Sequence, residues 1–236
     1  MMQISLSDFG QLILPQQTKP RGFIIFYPPA TGEKGVQFKE AQAFANQDFA
    51  CLIYNPPYRK SESRGIIDTD GEISLWEEAR AEYRIMATEI QNQFLCGEDK
   101  LACVGKNRGG SVAAFATSST VGCLIVTGSI PILSSFWVES KHPVAAENRS
   151  GAPQSKLIEF KSKMSSFDLI HTIPTKKSKI LIQFGTRDPW IEKDQVDIFS
   201  NAVLDKCIIQ STNDDHSMNS PDSLTQRMKF ALESLQ

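Results

Sequence analysis

The chain has 236 residues, with 25 lysines and arginines against 27 aspartates and glutamates, a formal net charge of −2 and 41% hydrophobic residues. So even a charge balance excludes the broad basic surface that binds nucleic acid or an anionic membrane, and the apolar content suffices for one large core. No apolar run is long enough to span a bilayer, and the N-terminus lacks a basic stretch followed by an apolar one, so neither a membrane anchor nor a leader is expected. The five cysteines (51, 96, 103, 123, 207) are an odd count. Four lie in strand-like apolar runs and Cys96 ends a helix, which predicts buried free thiols and a cytoplasmic location. No C-x-x-C pair or histidine cluster is present, so no metal and no cofactor are expected.

In chain order, residues 2–16 predict a hairpin, with Ile4 and Leu6 opposite Leu12, Ile13 and Leu14 and a bend at 8–10. Residues 22–27 (GFIIFY) form a continuous apolar strand, followed by a Pro/Gly loop over 28–35 and a helix whose inner face is Phe38, Ala41, Phe44 and Ala45. A second apolar strand, 49–54, leads into the polar loop 55–63 (NPPYRKSES). Ser74 and Glu77 are spaced as a capping box opening a long helix, on which Trp76, Ala79, Tyr83, Met86, Ala87, Ile90 and Phe94 recur at helical spacing. Strands are then predicted at 101–106, 121–127, 180–185 and 207–211. Ser220-Pro221-Asp222 supplies a cap and a first-turn proline for a last helix. Strand–helix alternation predicts one α/β domain over 1–236, built on a mostly parallel sheet covered on both faces. The irregular segment 129–176, with Pro131, Pro143, Pro153 and Pro174 and a helix near 154–166, is an insertion into it.

The most informative stretch is 101–115, LACVGKNRGGSVAAF. It reads as a buried strand, a glycine-bounded turn and a small-residue helix, the layout of a nucleophile elbow, G-x-S-x-G. Gly105 and Gly109 hold the glycine positions, and Asn107 occupies the place of the nucleophile. Downstream, Asp188 follows a buried strand and His216 lies in the polar loop 212–219. The order nucleophile position, Asp, His resembles that of the α/β-hydrolase superfamily, and the spacings leave room for two βα units and then one. The loop 55–63 is similar to a family loop only at Arg59 and a serine. The run 29–32 (PATG), with Trp76, is similar to small bacterial α/β-hydrolases of unassigned substrate.

The resemblance implies an oxyanion hole made of backbone N–H groups, one near Ala30 or Thr31 and one at Arg108; Pro28 and Pro29 have no N–H to give. It also implies that 129–176 forms a lid, with Ile130, Ile132, Leu133, Phe136 and Trp137 facing a pocket for a small apolar or acyl molecule. Plainer roles are available for each candidate. Asp188 is placed to cap the next helix, Arg108, His142 and His171 to be solvated, and Ser111 to point down its helix.

Asn107 is the departure from the family. An amide nitrogen is a poor nucleophile because its lone pair is delocalised, so an acyl-enzyme on this residue is closed. Asparagine tolerates positive φ better than most residues, so elbow geometry can persist without elbow chemistry. Four explanations stand: a pseudo-hydrolase binding a ligand or protein partner; a noncovalent hydrolase or lyase/cyclase-type enzyme with His216, held by Asp188, as general base; deamidation to an aspartate nucleophile; and an engineered inactivation.

Overall fold

In the computed structural model of the protein, residues 5–17, 19–30, 34–60, 66 and 68–236 are described, the side chains of 34, 59 and 60 apart. Ile4, Thr31 and the serines of the 55–63 loop lie outside the described residues. The chain runs β1 (Gly10–Ile13), β2 (Gly22–Tyr27), α1 (Lys34–Ala45), β3 (Phe49–Tyr54), α2 (Pro57–Lys60) and α3 (Thr69–Phe94). It continues with β4 (Leu101–Lys106), α4 (Arg108–Ala116), β5 (Cys123–Thr127), α5 (Leu133–Glu139), α6 (Pro143–Arg149), α7 (Gln154–Met164) and α8 (Leu169–Thr172). The last elements are β6 (Lys179–Gly185), α9 (Lys193–Val203), β7 (Ile208–Thr212) and α10 (Pro221–Ser234).

The strands form one sheet in the order β1-β3-β2-β4-β5-β6-β7, parallel throughout except for the antiparallel β1–β3 pair. β2, β3, β4 and β5 are buried along their whole length, as strands covered on both faces must be. Alternate side chains serve opposite faces. Phe23, Ile25 and Tyr27 join a large core with Trp76 of α3, Val112 of α4, Phe136 of α5, Phe160 of α7 and Phe199 of α9. Ile24 and Phe26 join a smaller one closed by Ala41 and Phe44 of α1 and Ala231 of α10. Each fully buried Phe or Leu in these layers contributes about 1.5–3 kcal/mol relative to exposure.

Two expectations are corrected. Among the described residues the N-terminal hairpin is not formed: Leu6–Asp8 is a single 3-10 turn, and β1 pairs with β3 through Gln11↔Ile53 and Leu12↔Leu52. The long helix begins at Thr69, where Asp68 accepts from the Gly71 N–H at 3.0 Å, so Ser74 is interior rather than the cap. The apolar stripe itself is buried as expected, from Trp76 to Ile90, and Ser220 caps α10 by accepting from Ser223 N–H at 3.2 Å.

The topology fixes where a ligand can sit. From β2 the chain steps outward to β3, then returns past β2 to β4, so the strand order reverses between β2 and β4. The loops leaving β2 and β4 therefore diverge and open a crevice at the carboxyl ends of the strands, the usual ligand position in open α/β sheets.

Candidate active site

Asn107 is the single residue between β4 and α4 and has φ 52° and ψ −126°. Positive φ is as expected, but this ψ lies well away from the left-handed helical region that asparagine tolerates. The strain is held by the surroundings. Asn107 N–H donates to Thr127 O at 2.9 Å, its carbonyl accepts from Gly110 N at 2.9 Å and from Ser129 Oγ at 2.5 Å. The glycines are required by contact: a Cβ at Gly105 would lie 2.5 Å from Gly110 Cα, and one at Gly109 would lie 2.3 Å from Pro28 O.

Asp188 follows β6 and His216 follows β7, so both reach the same edge as Asn107. His216 Nδ1 lies 2.8 Å from Asp188 Oδ2, while Asp188 Oδ1 accepts from Trp190 N–H at 2.8 Å. The carboxylate is fully buried and both its oxygens are engaged; it closes its own turn and does not cap α9, whose cap position is Glu192. The Asn107 amide nitrogen donates to the carbonyls of His216 (3.1 Å) and Gly128 (3.2 Å), which leaves its oxygen 3.2 Å from His216 Nε2. Both carbonyls can only accept, so this network sets the amide orientation. In this orientation the Asn107 oxygen accepts from His216 Nε2 when that nitrogen carries a hydrogen.

Asn107 and His216 open on a cavity of about 330 Å³, with Asp188 buried behind the histidine. Ile130, Leu133 and Trp137 line it together with Phe160, Met164 and Ile66, while Asn107, His216, Arg108, Ser111 and Glu72 supply polar wall. Ala30 also borders it. The Arg108 N–H opens α4 and has no acceptor within the helix. Phe136 is fully buried behind the wall against Trp137, Trp190 and His142, and Ile132 precedes α5 without reaching the cavity lining. Ser111, in the first turn of α4, is buried and is among the residues that line the cavity. His142 is not solvated: its ring stacks on Trp190 at 4.3 Å and its Nδ1 accepts from Val144 N–H. His171 is exposed.

Arg108 is corrected as well. Its guanidinium is only 15% exposed; it pairs with the Glu72 carboxylate and lies over the Tyr58 ring at 5.2 Å. Glu72 is missing from the sequence-based candidates although its signal is present: it falls four residues before Trp76, on the apolar stripe of α3. A carboxylate on a buried helical face needs a partner, and Arg108 and the Trp76 Nε1–H (2.8 Å) provide two.

On the other side of the elbow, Lys106 donates to Asn219 Oδ1 and lies 3.6 Å from Glu40, which also accepts from Arg227 Nε at 2.7 Å. Burial alone would raise the Glu40 carboxyl; the adjacent Arg227 and Lys106 cations outweigh it and hold it below the ordinary carboxylate range. Arg227 also donates to Gln183 Oε1 and to Met218 O, tying the loop that carries His216 to the sheet. Among the described residues, no three His, Cys, Asp or Glu side chains stand close enough to hold a metal ion, and no helix is long and apolar enough to cross a membrane.

Neither a family model nor a curated protein matches the sequence. Solved structures do match the fold. The chain is similar to an esterase from Thermogutta terrifontis, solved with propionate bound, with 15% identity, TM-score 0.67, and coverage of 94% of this chain and 88% of that one. It is similar to the esterase domain of a Rhodothermus marinus protein (12% identity, TM-score 0.62, 95% and 92% covered). A puromycin-hydrolyzing peptidase from Mycobacterium tuberculosis matches 94% of this chain over 35% of its own length, with 17% identity and TM-score 0.67. The chain has the α/β-hydrolase fold.

Proposed function

We propose that the protein hydrolyses a small acyl ester or thioester without a covalent intermediate, with residues 129–176 acting as a lid over the substrate. The carrying observation is His216, held by Asp188 and lining the cavity, with Nε2 3.2 Å from Asn107 Oδ1, an oxygen able to accept from that nitrogen once it carries a proton. With the ring neutral, the Nε2 lone pair accepts a hydrogen from a water in the cavity, leaving the water oxygen free to attack. The substrate carbonyl would rest on the backbone N–H groups of Arg108 and Ala30, both of which border the cavity.

The chemistry then balances without acylating the protein. The water oxygen bonds to the carbonyl carbon as His216 Nε2 takes its proton; Asp188 holds the ring and stabilises the imidazolium. Collapse of the tetrahedral adduct breaks the bond to the leaving oxygen or sulfur, which takes the proton back from His216. The products are a carboxylic acid and an alcohol or thiol. The apolar lining and the volume suit a short acyl chain, and the propionate-bound esterase of the same fold accommodates one.

The test is turnover of nitrophenyl acetate, butyrate and hexanoate and of a butyryl thioester. Hydrolysis is expected with no initial burst, reduced about 10²–10⁴-fold by His216→Ala and about tenfold by Asn107→Ala. Asn107→Ser, whose hydroxyl would occupy an elbow already formed, is expected to add a burst. Lack of turnover by the native protein of every ester and thioester, with a ligand still bound in the cavity, would show a binding protein instead. Activity that grows on storage with the mass gain of deamidation at Asn107 would assign the chemistry to an aspartate.

A further inference from the structure

A groove of about 520 Å³ lies outside the cavity and shares none of its lining residues. It is bordered by Arg80, Tyr83 and Arg84 of α3, Phe115 near the end of α4, Ser119 beyond it, and Lys176 before β6. It therefore sits at the far end of α4 from Asn107 and Arg108. Arg80 and Arg84 stand one helical turn apart, which puts their Cβ atoms about 5–6 Å from each other. Arg80 is held in place: its guanidinium lies 4.7 Å over the Phe115 ring, and Glu77 pairs with it at 2.6 Å. Its side chain is still 37% exposed, and Arg84 and Ser119 are exposed, so the groove is open to solvent.

Lys176 donates to the carbonyl of Thr117, the C-cap of α4, at 2.6 Å. Among the described residues no carboxylate pairs with Lys176 or with Arg84. Glu98, the carboxylate in the groove wall, accepts from the hydroxyls of Ser118 (3.0 Å) and Thr120 (2.7 Å). Three cations thus converge on one groove in a chain whose net charge is −2. Burial draws the Lys176 ammonium down to about 8, and the Arg80 cation acts in the same direction. An anion lying among the three would offset both effects.

We propose that this groove is a second binding site, and that its ligand is a phosphoryl group, free or carried on a small molecule. The two guanidinium forks reach its oxygens from α3, Lys176 adds a point charge, and the Ser119 hydroxyl adds a neutral donor. Two cations without a carboxylate match a dianion better than a single negative charge. The site is independent of the hydrolysis proposed above.

Inorganic phosphate, phenyl phosphate and phenyl sulfate test it by calorimetry at low salt and neutral pH. The two phenyl esters share a shape and differ in charge. Both phosphates are expected to bind the native protein, and phenyl sulfate about tenfold more weakly than phenyl phosphate. Arg84→Gln and Lys176→Gln should each weaken the phosphates about tenfold, the cost of one charged hydrogen bond, while His216→Ala leaves them unchanged. Arg84 is exposed, so its variant decides the matter even where Lys176→Gln, which removes a donor from the end of α4, fails to fold. Absence of binding of both phosphates, binding that Arg84→Gln leaves unchanged, or phenyl sulfate bound as tightly as phenyl phosphate would overturn the proposal. Phenyl phosphate bound more tightly than inorganic phosphate assigns an organic ester, and the reverse assigns the free ion.

Discussion

The two residues flanking Asn107 are both cations paired with buried glutamates, but the two pairs are built differently. Behind the elbow, Lys106 and Arg227 share Glu40, and each continues to a further partner in the sheet or in the loop carrying His216. In front, Arg108 and Glu72 border the cavity, and one buried carboxylate oxygen has no hydrogen-bond partner among the described residues. Lys106 ends β4 and Arg108 begins α4, with the sharp turn at Asn107 between them, so one local motif feeds both a closed polar cluster and an open one. The closed cluster acts as a tie among β4, β6, α1 and α10. The open one joins only α3 and α4 beside the cavity.

The largest expected difference is in stability. Glu40→Leu leaves two buried cations without their anion and should cost about 3–5 kcal/mol, measured as a lowered urea midpoint. A loss below about 1 kcal/mol would erase the distinction between the clusters. Acid should act on the same carboxylate. Because the Glu40 carboxyl is held below its ordinary value of 4.5, its stabilisation is complete above that pH and is lost as pH falls through the lower, folded value. The stability gap between the native protein and Glu40→Gln should therefore narrow in acid; a gap that is constant from pH 7 to pH 3 contradicts this. Glu72→Gln keeps an acceptor toward Arg108 and Trp76, so thermal unfolding should report only about 1–2 kcal/mol lost. The smallest effect is expected at Lys106, whose ammonium burial draws below its ordinary range despite Glu40. Lys106→Met removes an ion that is costly to bury, and its unfolding free energy should stay within about 1 kcal/mol of native.

How far these clusters could be foreseen follows from the range of the interactions involved. The elbow was legible because its glycines, strand and helix are contiguous, and Asp188 and His216 because each follows a strand run in family order. The β1–β3 pairing was not, since nothing local in 10–13 names a partner some forty residues on. Asp68 lost to Ser74 as the expected cap because the capping-box spacing at 74–77 was the stronger local pattern, while the helix continues back through Glu72 and Thr69 to meet its tertiary partners. In 129–176 the apolar residues were apparent, but which of them face the cavity depends on how α5 and α7 pack. Thus Trp137 and Phe160 line it while Phe136 does not. Arg108 and Glu72 lie 36 residues apart, and only folding makes them a pair.

Trp190 has a consequence of another kind. Its indole is stacked between the rings of His142 (4.3 Å) and His216 (5.3 Å), while its backbone N–H holds Asp188. A protonated imidazole against an indole quenches its emission, and a neutral one does so far less. The protein thus carries an optical reporter beside its His–Asp pair, so that proton uptake or ligand arrival there can be followed by fluorescence without any label.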